Sequence, residues 1–268
     1  MDDRCYTNSD ALCEYISQKT NGRTLLSFSG GKDSIGAWIQ LKRYFNEIVP
    51  VYMYLIPGLS FVEDDLKYYE DVFQTKIYRL PHPSLYRWLY YAVAQPPENI
   101  KLLVERGITM FDYVDISDLV KLHLGWDVNA VYTATGVRAV DSPYRWTAIK
   151  RHGPVNENTL TYYPIFDWRK EKLIDEIRSA GIKLGKQYRL FGRTFDGLDY
   201  RFLKPIRDYY PDDYKKILEM FPMAELNIKR MEYRYNYYAK IGVAMSKAYR
   251  TLVRGGININ DVDDSGDV

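Results

Sequence analysis

Residues 24–45 read TLLSFSGGKDSIGAWIQLKRYF: an apolar run, a Ser-Gly-Gly-Lys-Asp-Ser turn, and then Ile35, Trp38, Ile39 and Leu41 at helical spacing. The pattern predicts a short buried strand over 24–28 that opens through a glycine loop directly into a helix over 34–45. Such a unit places its helix on a sheet face and needs a parallel neighbour strand beyond it. The sequence supplies one, since 48–56 is apolar and β-branched and stops at Pro57-Gly58. Helical spacing returns over 62–73, and 76–80 reads as a third strand. A helix over 9–19, with Leu12, Tyr15 and Ile16 on one side and Asn21-Gly22 as its stop, precedes the first strand. Alternating strands and helices predict an α/β chain with a parallel sheet covered by helices.

From 81 to 126 the spacing predicts helices over 85–93, 98–106 and 117–124, broken at Pro96-Pro97. A strand is expected over 129–135, a polar Arg-, Gly- and Pro-rich loop over 136–154, a strand over 160–166, and a helix over 169–180 closed by Gly181. Beyond 208 only helical spacing is present, so a helical C-terminal extension is expected. The last residues, DVDDSGDV, are acidic and poor in apolar groups, a composition that predicts disorder.

A glycine loop at a helix N-terminus exposes backbone N–H groups and the positive end of a helix dipole, which together favour an anion such as phosphate. Gly30 and Gly31 permit close backbone approach. Ser29 and Ser34 add hydroxyls, and Lys32 adds a cation. The loop is not G-x-x-x-x-G-K-[S/T], because Leu26 stands where the first glycine belongs and Asp33 follows Lys32. G-x-G-x-x-G is also missing.

The six residues SGGKDS, 29–34, resemble the PP-loop of the ATP pyrophosphatases, which hold the pyrophosphate of ATP and cleave between its α and β phosphates. Two further stretches resemble one branch of that superfamily, the phosphoadenosine phosphosulfate (PAPS) reductase-like proteins: ATGVRAVDSPYRW, with Gly136, Arg138, Asp141, Ser142 and Arg145, and YYPIFDW, with Asp167-Trp168. The resemblance covers roughly 25–188. It implies an adenine nucleotide alpha hydrolase-like fold (Rossmann-like, HUP-type), with a nucleotide-binding domain over 1–190, the helical extension over 191–256 and an acidic tail over 257–268.

It also implies a site. Ser27, Ser29, Gly30, Gly31, Lys32, Asp33, Ser34, Tyr54, Leu55, Gly136 and Arg138 would bind the nucleotide, the last two strand-end residues of that set through backbone groups. Lys32, Asp33, Arg138 and Arg145 would act in the chemistry, with magnesium on Asp33. Arg138 and Arg145 can meet phosphate or sulfate oxygens bidentately, or pair with surface carboxylates. Asp33 can instead be a helix N-terminal acid, and Asp167-Trp168 a helix N-cap followed by a core aromatic.

The chain departs from the branch in two places. YLIPGLSFVEDD, 54–65, keeps only Gly58, Phe61 and Glu63 of the segment where reductases carry Asp-Thr-Gly and Pro-Glu-Thr. No cysteine follows Cys13, whereas the reductases attack sulfate with a cysteine near the C-terminus, a step no other side chain here replaces. Sulfate reduction is therefore not expected. Two cysteines and three scattered histidines predict neither an iron–sulfur cluster nor zinc. Where the family carries cysteines, 190–214 holds Arg193, Asp196, Asp199 and Arg201, either a lid over a second substrate or a solvated connection.

Net charge is +2, so attraction to nucleic acid would have to be local. The 26 tyrosines read as amphipathic packing, with base stacking as the alternative; Lys229, Arg230, Arg234 and Lys240 among aromatics give the same pair of readings. No 18-residue apolar run or signal-like N-terminus is present, and a cytoplasmic location is the expectation. The function expected is ATP binding with cleavage between the α and β phosphates to adenylate an unknown acceptor, with a protein partner possible. The alternatives are a nucleotide-dependent regulator or partner subunit without turnover, and a sulfur-transfer component using a partner's thiol.

Overall fold

A computed structural model describes residues 7–240. The expected acidic tail, and the part of the helical extension past Lys240, lie outside the described residues. The chain divides into two compact units that interleave along the sequence, one built from 7–54, 66–80 and 111–184, the other from 55–65, 81–110 and 185–240.

The first unit contains a six-stranded sheet: β1 (Arg23–Ser27), β2 (Glu47–Tyr54), β3 (Tyr78–Pro81), β4 (Thr133–Thr135), β5 (Val155–Asn156) and β6 (Thr161–Tyr162), in the order β3-β2-β1-β4-β6-β5. β1 runs parallel to both β2 and β4, with Ser27 in register with Val51 and Thr135, and β4 is parallel to β6. Only the β5–β6 hairpin is antiparallel among these pairs. The architecture is thus α/β with a mostly parallel sheet, as the alternation predicts. The order reverses at β1: one crossover carries the chain to β2 and β3, and a later one carries it back to β4 on the other side. Ligands of open α/β sheets bind beyond the strands' C-terminal ends at such a reversal.

Helices cover both faces. α1 (Ser9–Lys19) and α2 (Lys32–Leu41) lead, followed by α3 (Ser60–Phe73), whose residues before Leu66 belong to the second unit. Helices α4 (Pro83–Tyr90) and α5 (Ile100–Glu105) belong to the second unit and α6 (Tyr113–His123) to the first. On one face Leu25, Val49 and Val51 pack with Ile116 and Val120 of α6 and with Trp126 and Val131. On the other, Phe28 meets Trp38 and Tyr69 edge-on at 5.0 and 5.4 Å, and Trp38 stacks on Phe73 at 4.0 Å. Burying a ring such as Phe28 stabilises by about 2–3 kcal/mol, and each aromatic pair adds roughly 1 kcal/mol.

Three expectations fail locally. The polar loop expected over 136–154 contains a helix, α7 (Pro143–His152). Ser142 caps it, accepting from Arg145 N at 3.2 Å, Pro143 occupies its first turn, and Gly153 stops it at φ +77°. Ser-Pro is a start signal, but α7 buries Ile149 alone, so no apolar period announces it. The strand expected over 160–166 shrinks to Thr161–Tyr162 and pairs with β5, which the sequence reading lacks. Asp167 is not the N-cap of α8 (Lys170–Ser179), a position held by Arg169. It anchors α1 instead, accepting from Ser9 N at 3.2 Å and from the Ser9 hydroxyl. Trp168 is fully buried, the core aromatic expected.

In the second unit, α9 (Lys186–Phe191), α10 (Tyr200–Tyr209), α11 (Pro211–Met220) and α12 (Glu225–Lys240) follow one another with no strand among the described residues. Two buried carboxylates hold helix starts there. Asp213 of α11 accepts from Ser60 N and Ser60 Oγ, both at 2.7 Å, at the start of α3. Asp65 of α3 accepts from Lys186 N at 2.6 Å and Gln187 N at 3.2 Å at the start of α9. In the expected lid segment Arg193 pairs with Asp196 and Arg201 with Asp199, while Phe195 and Leu198 are buried, so its charges satisfy one another locally.

Candidate functional site

β1 ends at Ser27 and α2 begins at Lys32, so residues 28–31 form the loop at the strand's C-terminal end. Gly30 has φ +72°, a conformation costly for any residue with a Cβ. Gly31 is the N-cap of α2 and makes no side-chain cap bond. Ser34 Oγ donates to Gly31 O at 2.9 Å, accepts from Ser29 N at 3.3 Å and lies 3.2 Å from Ser29 Oγ. Ser29 Oγ accepts from Gly31 N at 3.3 Å. The hydroxyls brace the loop from within.

β4 delivers the second half of the site. Gly136, just past its end, lies so close to α2 that a Cβ there would stand 2.7 Å from Asp33 C and 2.8 Å from Ser34 N. Backbone atoms cannot give way cheaply, so glycine at 136 is what allows the two loops to meet. Two residues on, Arg138 is buried, with its side chain 6% exposed. Its Nε stands 2.8 Å from Asp33 Oδ1, and its Nη2 2.8 Å from Asp141 Oδ1. Asp141 also accepts from Arg138 N at 3.1 Å and from Arg145 Nη1 at 2.9 Å. Asp33, Arg138, Asp141 and Arg145 therefore form a row of alternating charge from the first turn of α2 to the first turn of α7. Of the two arginines, Arg138 is enclosed and Arg145 is half exposed.

Some polar atoms remain unanswered. The Asp33–Arg138 contact has ion-pair distance without hydrogen-bond alignment. Arg138 Nη1 and Thr135 Oγ1, at the end of β4, are buried with no hydrogen-bond partner. Burial raises the Asp33 carboxyl above its ordinary value, against the downward pull of Arg138, and the Asp141 charge adds to the rise. Buried polar groups are nearly always paired, so these atoms mark a place where a ligand or water completes the bonding.

Tyr54 closes β2, whose Val51 is level with Ser27, so it lies at the same C-terminal edge as the loop. Leu55 follows it with a buried side chain and belongs to the second unit. No group of three or more His, Cys, Asp or Glu able to hold a metal occurs among the described residues. Cys13 is buried against Pro164 O, and burial pushes its thiol far up, so it is a packing residue. The bridging position of Asp141 was not evident from the sequence, although its spacing to Arg145, one helical turn, is a signal for such a pair.

These features define a doubly wound α/β protein with a glycine-capped helix start and a buried arginine at its strand-order reversal. No protein-family model matches the chain, and no curated protein matches it. Among solved structures it is similar to the U34-tRNA thiolase NcsA from Methanococcus maripaludis with its 4Fe-4S cluster, at 12% identity and a TM-score of 0.40, covering 80% of this chain and 77% of that one. It is also similar to an NH3-dependent NAD synthetase from Campylobacter jejuni in complex with the nitrate ion, at 11% identity and a TM-score of 0.38, covering 89% and 96%.

Proposed function

We propose that the chain is a PP-loop protein of the PAPS reductase-like kind that binds ATP and cleaves it between the α and β phosphates to adenylate an acceptor, without reducing sulfate. The observation that carries this reading is the buried Nη1 of Arg138, without a hydrogen-bond partner, beside a helix start whose N-cap is a glycine. An anion at the loop answers that atom. Lys32 and the amides of the loop would hold the pyrophosphate portion, and the backbone at Tyr54 and Leu55 would meet the adenine. Arg138, fixed by two carboxylates, would keep Asp33 and the loop in place and offer Nη1 to an oxygen. Arg145, half exposed, would act through Asp141.

Magnesium bound to nucleotides takes one or two protein carboxylates, with phosphate oxygens and water completing its shell. Asp33 fits that demand, since its side chain is 31% exposed although its Oδ1 is buried beside Arg138 Nε. The ion would supply neutralisation of phosphate charge. In the reaction an acceptor oxygen bonds to the α phosphorus and the bond from phosphorus to the α–β bridging oxygen breaks. Pyrophosphate leaves with that electron pair, and the acceptor's proton passes to solvent. Fixed donors act here mainly by meeting charge as it develops.

Incubation with ATP labelled at the α phosphate tests the reading. Pyrophosphate and adenylyl product or AMP should appear with the wild type and vanish in Lys32→Ala. Tight ATP binding without turnover would instead make the protein a nucleotide-dependent regulator, and absence of adenine-nucleotide binding would end both readings.

A further inference from the structure

We propose that residues 91–95 form a latch that holds α4 one turn short of the length its sequence favours, and that release of the Gln95 side chain lets the helix run on through Ala94. Helical spacing passes through Leu85, Tyr86, Leu89, Tyr90 and Val93 with no glycine or proline to stop it. The helix nevertheless ends at Tyr90. Val93 N donates to Trp88 O at 2.8 Å and Ala92 N to Leu89 O at 3.3 Å, the paired bonds of a helix end whose left-handed residue is ordinarily glycine. Here that residue is Ala92, at φ +52°, and Ala94 follows at φ +56°. A left-handed alanine crowds its Cβ against the following carbonyl, whereas in a helix alanine is the most favourable residue. Both alanines are thus held in a conformation they disfavour.

What holds them lies outside the two residues. Gln95 is 2% exposed, and its Nε2 donates to Leu89 O at 2.7 Å and to Trp88 O at 3.4 Å. A longer helix would give these carbonyls to the amides of Val93 and Ala92. Asn99 Nδ2 donates to Gln95 Oε1 at 3.1 Å, and Met223 N to Ala94 O at 2.8 Å. One buried amide therefore occupies the acceptors that extension needs and is itself fixed by the turn Pro97–Asn99. Pro96 sets the limit of extension, because it has no N–H and biases Gln95 away from helix. In the longer helix Val93, Ala94 and Gln95 would donate to Leu89, Tyr90 and Tyr91. Tyr91 and Val93, 64% and 40% exposed in the latched form, would turn to new directions. The latch thus decides which apolar side chains this end of α4 presents.

Amide hydrogen exchange of the full chain, read over 91–95, tests this. Gln95→Met keeps the volume of the side chain and removes the hydrogen bonds of its amide, and Gln95→Ala removes them by a second route. In either variant exchange at 93–95 should slow about tenfold as these amides enter the helix. Faster exchange would mean that the end of α4 unravels, and it overturns the proposal, as does no change in both variants. Ala92→Gly with Ala94→Gly should act in the opposite sense, since glycine takes positive φ freely and is poor in a helix. Alone, the pair should raise the urea midpoint. Added to Gln95→Met, it should cancel the slowing. A lower midpoint, or slowing that persists with both glycines present, also overturns the proposal. No nucleotide enters any arm, so the outcome is independent of the adenylating reading.

Discussion

The first turn of α2 and the first turns of α3 and α9 face the same physical demand and meet it in opposite ways. A helix start presents amides with no internal partner, and a nearby negative charge stabilises it. In the second unit the charge is built in: Asp213 holds Ser60 N at α3, and Asp65 holds Lys186 N and Gln187 N at α9. At α2 the cap is Gly31, which offers no side chain, and the nearby hydroxyls of Ser29 and Ser34 bond to the loop itself. Carboxylates from distant parts of the chain close the helix starts that serve structure. The start at the strand-order reversal has a glycine for its cap instead.

The largest effect that would sharpen this contrast is on turnover. Lys32→Ala should lower pyrophosphate release at least about 100-fold while shifting the urea midpoint by an amount corresponding to no more than about 0.5 kcal/mol. Asp213→Ala should do the reverse. It strips four donors of a buried acceptor, at a cost of about 3 kcal/mol, with nucleotide affinity of the folded fraction held within about twofold. If Asp213→Ala removes nucleotide binding under folding conditions, the contrast breaks.

A smaller pair of changes concerns the two glycines that let loops approach these helices. A Cβ on Gly136 would meet Asp33 and Ser34 backbone, and one on Gly185 would stand 2.3 Å from the Asp65 carboxylate. Each alanine should cost about 1–3 kcal/mol by denaturant titration, but only Gly136→Ala should also weaken ATP in calorimetry. The smallest effect is in acid. Asp213 is desolvated, yet its bonds from Ser60, Lys216 and Phe61 hold its folded value below 3.8. Its stabilisation is therefore present above the unfolded value and is lost as pH falls through the lower folded one. Asp33, raised above 3.8 by burial, has the opposite sign: its penalty is relieved as pH falls through its folded value. Stability scans below about pH 5 should flatten in Asp213→Asn and steepen in Asp33→Asn.

Much of the first unit was legible because its signals are local. The apolar run, the paired glycines and the period through Ile35 and Trp38 predict β1, its loop and α2, and the spacing over 9–19 predicts α1 to the residue. What escaped depends on partners far apart in sequence. Nothing near Arg138 announces that Asp33, more than a hundred residues earlier, lies against it. Asp65 and Asp213 close helix starts over similar distances. Asp65 does leave a trace, a carboxylate on the same helical face as Phe61, Leu66 and Tyr69, where an apolar residue is expected. α7 escaped for a different reason: a helix that buries one residue has no period to read.

The row of Asp33, Arg138, Asp141 and Arg145 sums to no net charge, two carboxylates against two guanidinium groups. Because the signs alternate, removing any member tips the balance felt at the loop by one unit, and the direction depends only on which member goes. Loss of Arg145 would make the neighbourhood of α2 more negative, and loss of Asp141 more positive, with no ligand contact altered. Substitutions at Arg145 and at Asp141 would thus shift the field at the start of α2 in opposite directions.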